Sequence, residues 1–277
     1  MIGVRGSEMG ALLGFAERQL YVYKRYWVWE VVWLFYSIVS VLSIGFLASG
    51  LDTLGAAGSG FDLRRAQLYL LIGALLWGYL SLVFMEAAFA IAWERWEGTI
   101  EYTFMAPVPR LTHLAGMAGG TIVRAVVFSV TTLFAVMLFI PVDLSHANAL
   151  SAIVMLAVGT VAFMGLGIAS AVFPLIWTEK GLQMAYIVQA VVLLVSGVYY
   201  PTSVLPGWLQ ALSVVSPATY VIEGMRRALL DGADLASLWP LVWPALLVGL
   251  LSIPIGLRAF VAAERYAKRT GRLKRSG

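Results

Sequence analysis

The chain contains no cysteine, which excludes a disulfide, a thiolate nucleophile and a Cys-ligated metal. It contains no Gly-Lys dipeptide and so lacks the phosphate cradle of a P-loop. Neither a G-x-S-x-G nucleophile elbow nor an H-E-x-x-H zinc motif occurs. The chain should therefore hydrolyse neither ATP nor an ester. Histidine occurs only at His113 and His146, in stretches expected as loops at opposite ends of the apolar runs. No metal site is expected from them. Charge is also scarce: Asp, Glu, Lys and Arg make up 12% of the residues, against about 25% in a soluble domain.

Apolar residues are abundant instead. They form 61% of the sequence, with a mean hydropathy of +0.86. That composition predicts an all-α polytopic membrane protein in a single domain, 1–277. Six runs are long enough to cross a bilayer core of about 30 Å: 27–49, 68–92, 114–140, 149–176, 183–200 and 238–260. Pro141 and Pro201 close the third and fifth of them. Pro240, Pro244 and Pro254 predict bends in the sixth. A linker, 50–67, carries Gly50, Gly55, Gly58 and Gly60, which suits an exposed loop.

Residues 1–26 lack the apolar core and cleavage site of a signal peptide. Met9, Leu12, Leu13, Ala16, Leu20 and Tyr23 recur at helical spacing, with Glu17, Arg18, Lys24 and Arg25 largely elsewhere on the wheel. This describes a helix lying in the membrane interface, or a plain lead-in to the first span. Residues 201–237 hold Pro201, Pro206 and Pro217 around apolar pieces too short to cross. They predict two short helices that dip into one leaflet and return, backbone tolerated there only where protein or water satisfies it. Residues 261–277 are basic and predict a frayed tail that sets topology and touches anionic lipid.

Six spans place both termini on one side. Fourteen Lys and Arg residues fall on that side and four, Arg64, Arg65, Arg226 and Arg227, on the other. By the positive-inside rule the termini are cytoplasmic. The net charge of +4 follows from this flanking pattern and does not indicate nucleic acid.

The densest polar segment between two spans, 93–112, is then cytoplasmic as well. Glu94, Glu97 and Glu101 stand at i, i+3 and i+7 and would share one helix face, with Trp93, Trp96, Ile100 and Phe104 on another. Pro107 and Pro109 would end the piece rigidly. Such a segment can offer carboxylates to a basic groove of a partner, or it can be an ordinary amphipathic loop.

The residues Glu94-Arg95-x-x-Gly98-Thr99-Ile100-Glu101, followed by Pro107-Val108-x-Arg110, resemble the loop between the second and third spans of type 2 ATP-binding cassette (ABC) exporter permeases. So do Ser196-Gly197-Val198-Tyr199-Tyr200-Pro201, Leu205-Pro206-Gly207-Trp208 and Ser216-Pro217-Ala218-Thr219-Tyr220-x-x-Glu223-x-x-Arg226, which are similar to that family's fifth span and external helices. The resemblance implies that 93–112 is a coupling helix docking on a cytosolic ATPase, with Glu94, Arg95, Glu97, Gly98, Thr99, Glu101, Pro107 and Arg110 as the coupling residues. Where the family often has an acid directly after the Glu-Arg pair, Trp96 stands here and Glu97 follows it.

The resemblance also implies ATP and Mg on the partner and no cofactor on this chain. It implies a second permease protomer, in a homo- or heterodimer, and a prokaryotic inner membrane. The cargo it suggests is amphipathic: a drug-like compound, a natural product or a lipid, with a lipid-linked polysaccharide as the alternative. It further suggests that the fifth spans flank the path, which nominates Gln189, Tyr199 and Tyr200; the two tyrosines equally suit interfacial aromatics. From a different class, an ion-coupled secondary transporter places broken helices and buried charge near the midplane, but no repeat relates the two halves here.

Two charges fall inside spans, Glu86 in the second and Arg124 in the third. An unpaired charge at that depth costs at least about 2.5–3.5 kcal/mol. The two are expected to pair, tying the coupling segment to its spans, or else to line a wet cavity separately. Gly116-x-x-x-Gly120 in the third span permits close helix approach.

Overall fold

The computed structural model describes residues 2–53 and 62–271. Gly55, Gly58 and Gly60 of the first linker, and Arg272, Lys274 and Arg275 of the tail, lie outside these residues. Among the described residues every regular element is helical. In chain order they are α1 (Ile2–Arg25), α2 (Trp27–Thr53), α3 (Leu63–Glu97), α4 (Ile100–Met105), α5 (Arg110–Met137), α6 (Ala149–Ser170) and α7 (Val172–Ile176). Then follow α8 (Gly181–Val195), a 3-10 turn (Thr202–Val204), α9 (Gly207–Val215), α10 (Pro217–Leu230) and α11 (Leu235–Arg269).

Helix starts follow local chemistry. Asp62, Asn148 and Asp234 each accept a hydrogen bond from the backbone N–H three residues on, at 3.0–3.1 Å, the N-cap arrangement worth about 1 kcal/mol. Hydrogen bonds from Ser145 and Ser237 hold the loop carboxyls of Asp143 and Asp234 below the usual carboxylate range.

Helix α3 is the axis of the bundle. It packs against α2, α5, α6, α8 and α10, and about two thirds of its apolar stretch is buried against protein. The main core joins α3 to α6, α8, α10 and α11 around Leu80, Ala88, Phe163, Ala218, Ile222 and Leu238, all fully buried. By contrast α2 stands at the periphery, with 11% of its apolar stretch buried. Phe35, Tyr36 and Phe46 project outward from it.

Among the described residues five helices are long and apolar enough to cross a membrane. The expected fifth span, 183–200, is shorter: α8 has 15 residues, a rise of about 22 Å at ~1.5 Å per residue. It stops because Gly197 adopts φ 69°, the left-handed region that ends a helix. The sixth span is longer than expected. The bends predicted at Pro240, Pro244 and Pro254 do not interrupt α11, which runs as one helix along α6. It continues nine residues past 260 because Ala263, Glu264 and Ala267 are buried. The frayed tail is therefore corrected to helix as far as Arg269.

Helix α1 packs along α5. The expected glycine pair makes this possible. A Cβ on Gly116 would meet the Leu12 carbonyl at 2.7 Å, and one on Gly120 would meet the Ala16 carbonyl at 2.9 Å. At Gly119, between them, a Cβ would stand 3.7 Å from Ala16 Cβ, within the ~3.5–4.5 Å separation of a disulfide. The cysteine-free chain carrying Ala16→Cys and Gly119→Cys should thus close a 16–119 bridge under mild oxidation, detected by mass spectrometry. Two thiols that stay free would place α1 elsewhere.

Candidate functional site

At one end of the bundle α3 leaves its apolar stretch and becomes the charged segment. Its last turn closes on Gly98, whose φ of 75° is open to glycine at little cost. Gly98 N–H donates to Arg95 O at 3.2 Å and Thr99 N–H to Glu94 O at 2.8 Å, a C-cap that satisfies the final carbonyls. The chain then turns into α4, whose Ile100 and Phe104 are buried against Ile91, Leu114, Ile168 and Phe260. Pro107 is exposed beyond α4, and Pro109 caps the start of α5.

The break at Gly98 overturns the expectation of one continuous acidic face. Glu94 lies before it and is completely buried. Its Oε1 accepts from Arg18 Nη1 on α1 at 2.8 Å and lies 3.3 Å from His113 Nε2 on α5. His113, expected in a loop, is fully buried on that helix. Glu94 is thus occupied inside the protomer and is not presented to a partner. Glu97 and Glu101 are exposed.

The two arginines of the segment also point inward. Arg95 is 4% exposed and donates to the carbonyls of Pro174 at 3.2 Å and Leu175 at 2.5 Å, where its charge meets the negative end of α7. Arg110 forms a two-pronged pair with Glu264 on α11, Nε to Oε2 at 2.8 Å and Nη2 to Oε1 at 2.9 Å. It also donates to Thr103 O and Phe104 O at 3.2 and 2.7 Å, and its guanidinium stacks 4.6 Å from the Phe104 ring. Arg18, His113, Pro174, Leu175 and Glu264 together clamp the segment.

What remains outward is a compact mixed face. Glu97, Glu101, Tyr102 (74% exposed) and Met105 (72%) are exposed along it, and Trp96 (50%) packs edge-on to Trp93 toward the cavity between the helices.

The expected Glu86–Arg124 pair is not formed. Arg124 Nε donates to Glu30 Oε2 at 2.5 Å, and its guanidinium lies 4.9 and 4.7 Å from the Tyr23 and Phe128 rings. Glu86 accepts instead from Gln19 Nε2 at 2.7 Å and from Tyr23 Oη at 3.3 Å. Helix α1 supplies these partners, since Gln19 and Tyr23 are one turn apart on its buried side. Their helical spacing was visible in the sequence; Glu30, beside the tryptophans that open α2, carried no such signal.

Glu86, Arg124, Gln189 and Tyr199 nonetheless border one cavity of about 860 Å³, enclosed by α1, α2, α3, α5 and α8. Tyr200 is elsewhere. Its hydroxyl donates to Leu194 O at 2.7 Å, and its ring packs on Val195, Leu205 and Leu209.

At the opposite end of the bundle Arg226 on α10 is buried and reaches the break after α8. It donates to Gly197 O at 2.8 Å, Val198 O at 2.5 Å and Tyr69 O at 3.2–3.3 Å. Its guanidinium lies 3.4 Å from the Tyr69 ring.

A family model described as ABC-2 type transporter matches residues 12–230. The inner membrane transport permease YadH of Escherichia coli strain K12 is 22% identical over 224 residues, covering 81% of this chain and 84% of that protein. YadH of Shigella flexneri matches to the same extent.

Proposed function

From the premise that the chain belongs to the ABC-2 type transporter family, as a multi-pass plasma-membrane permease, we propose that it is the membrane subunit of an exporter driven by a separate cytosolic ATPase. In this reading α4 with its flanking residues is the coupling element, and the cargo is amphipathic. The family supports the ATPase partner and the lack of an ATPase site in the permease itself. One observation carries the assignment of the coupling element. The segment's inner side is anchored at Glu94, Arg95, Ile100, Phe104 and Arg110, while Glu97, Glu101, Tyr102 and Met105 stay outward. A push on that face reaches α1, α5, α7 and α11 through short polar contacts.

Three further features belong to the proposal. Helix α8 together with 196–200 counts as a sixth span, which brings both termini and α4 to the cytoplasmic side, in keeping with the excess of Lys and Arg there. The uncovered apolar face of α8 is where a second protomer would pack. Gln189 and Tyr199, facing the cavity, belong to the substrate path.

The test is co-purification with the ATPase subunit, followed by ATP turnover in lipid vesicles. In Gly98→Pro the ring holds φ near −65° and removes the N–H that caps α3, a change of roughly 3 kcal/mol confined to the turn. Its complex should turn over ATP at the rate of the ATPase alone, and Glu97→Ala should be impaired to a lesser degree. Normal turnover in both variants would remove α4 from the mechanism. Solute carried down an ion gradient with no nucleotide present would favour a secondary transporter.

A further inference from the structure

The 860 Å³ cavity between α1, α2, α3, α5 and α8 is within the size range of small-molecule sites, about 300–1,000 Å³. Its walls combine two chemistries. Twelve of its 34 lining residues are aromatic, among them Trp29, Trp33, Tyr36, Trp77, Phe89 and Tyr186. Its charged residues are three carboxylates, Glu30, Glu86 and Glu94, and two guanidiniums, Arg18 and Arg124.

The pairing leaves one carboxylate over. Arg124 is joined to Glu30 and Arg18 to Glu94. Glu86, 6% exposed, has Gln19 and Tyr23 as its hydrogen-bond partners, and both are neutral. Among the described residues Glu94 Oε2, also buried, has no hydrogen-bond partner. Carboxylate character at this depth is expensive and marks a functional site. Electron-rich ring faces around it favour one class of guest, since a cation gains from ring quadrupoles and carboxylate together. Arg124 already shows the principle within the same walls, its guanidinium lying against Tyr23 and Phe128.

We propose that this cavity binds a hydrophobic organic cation, with Glu86 as its counter-ion. The guest's apolar body rests on the aromatic walls, and its positive centre is drawn to Glu86. Trp33 and Tyr36, half or more exposed and edge-to-face at 6.0 Å, border the cavity on α2 and are open to an amphiphile arriving from the bilayer. As a loading site for export the cavity rests on the function proposed above; as a binding site it does not.

The permease is purified alone in lipid nanodiscs, and binding of tetraphenylphosphonium is measured by equilibrium dialysis. Tetraphenylborate, an anion of the same shape, is the control. Wild type should bind the cation saturably and at least about ten-fold more tightly than the anion, the ratio set by one charge contact of roughly the strength expected inside protein. Glu86→Gln keeps the size and polarity of the side chain and should weaken cation binding by about ten-fold or more. Trp33→Ala, at an exposed position that does not threaten folding, should weaken it by about three-fold. Glu97→Ala, exposed and outside the lining, should bind as wild type, so binding and coupling fail independently. The proposal is overturned if wild type binds no cation saturably, if the anion binds equally well, or if a folded Glu86→Gln retains full affinity. If Glu86→Gln does not fold, unchanged affinity in Trp33→Ala overturns it.

Discussion

Replacing Arg226 with methionine is expected to lower the stability of the folded permease by about 3 kcal/mol. Arg226 is 5% exposed, and its hydrogen bonds run to the carbonyls of Tyr69, Gly197 and Val198. A buried acceptor stripped of its donor costs about 1–3 kcal/mol. Three are stripped at once, and relief from desolvating the cation recovers part of the loss. The contact is also closely fitted. Gly73 on α3 lets the side chain pass, because a Cβ there would meet the Arg226 guanidinium at 2.6 Å. Methionine should therefore leave α8 and α10 unlatched at the Gly197 break. In detergent the midpoint of thermal loss of the monodisperse peak should fall by roughly 6–12 °C, at ~2–4 °C per kcal/mol. Arg226→Lys should recover less than half, since a point charge cannot span three carbonyls as a planar fork does. A methionine variant melting within 2 °C or so of wild type would show the latch to be dispensable.

The second large effect is expected at Arg110. Glu264 and the last carbonyls of α4 converge on this one side chain, and the ion-pair partners are 14% and 7% exposed. Breaking a buried pair by removing one partner costs about 3–5 kcal/mol. Lys268, 2.7 Å from Glu264, tempers that to roughly 3 kcal/mol by keeping the carboxylate compensated. The loss falls at the junction of α4, α5 and α11 and spares the main core around Leu80 and Phe163. Arg110→Ala should thus yield a chain that folds and binds the ATPase yet no longer transmits its closure: ATP is consumed and transport is lost. Glu264→Ala should give the same phenotype more weakly. The double variant should be no worse than Arg110→Ala alone, because coupled residues do not add. Additive losses in the cycle would mean that the two act separately.

The elements whose causes are local were legible in the sequence. Pro141 and Pro217 mark where α5 has ended and where α10 begins. The Gly116 and Gly120 spacing announces a close helix neighbour, and α1 fills that role. The site was only partly legible, because its decisive contacts cross long distances in sequence. Glu94 meets Arg18 across 76 residues, and Glu264 meets Arg110 across 154. No helical wheel drawn on 93–112 could show that Glu94 and Arg110 turn inward. Gly98 did carry a signal, since a glycine between two charged turns is where a helix can reverse its face. Arg124 was misassigned for a related reason. Glu86 is the acidic residue expected inside the neighbouring span, but a glutamate of α2, Glu30, stands closer in space.

An ATPase that grips the outward face of α4 must come within cross-linking reach of a side chain there. Because the chain lacks cysteine, one introduced at Tyr102, 74% exposed, is unique. With the ATPase subunit present, a short thiol-to-amine cross-linker should join it to that subunit. A cysteine at Trp208, 69% exposed at the other end of the bundle, should give no such product and should react with a membrane-impermeant maleimide on whole cells. Failure of position 102 to capture the ATPase, together with its labelling from outside, would contradict the account.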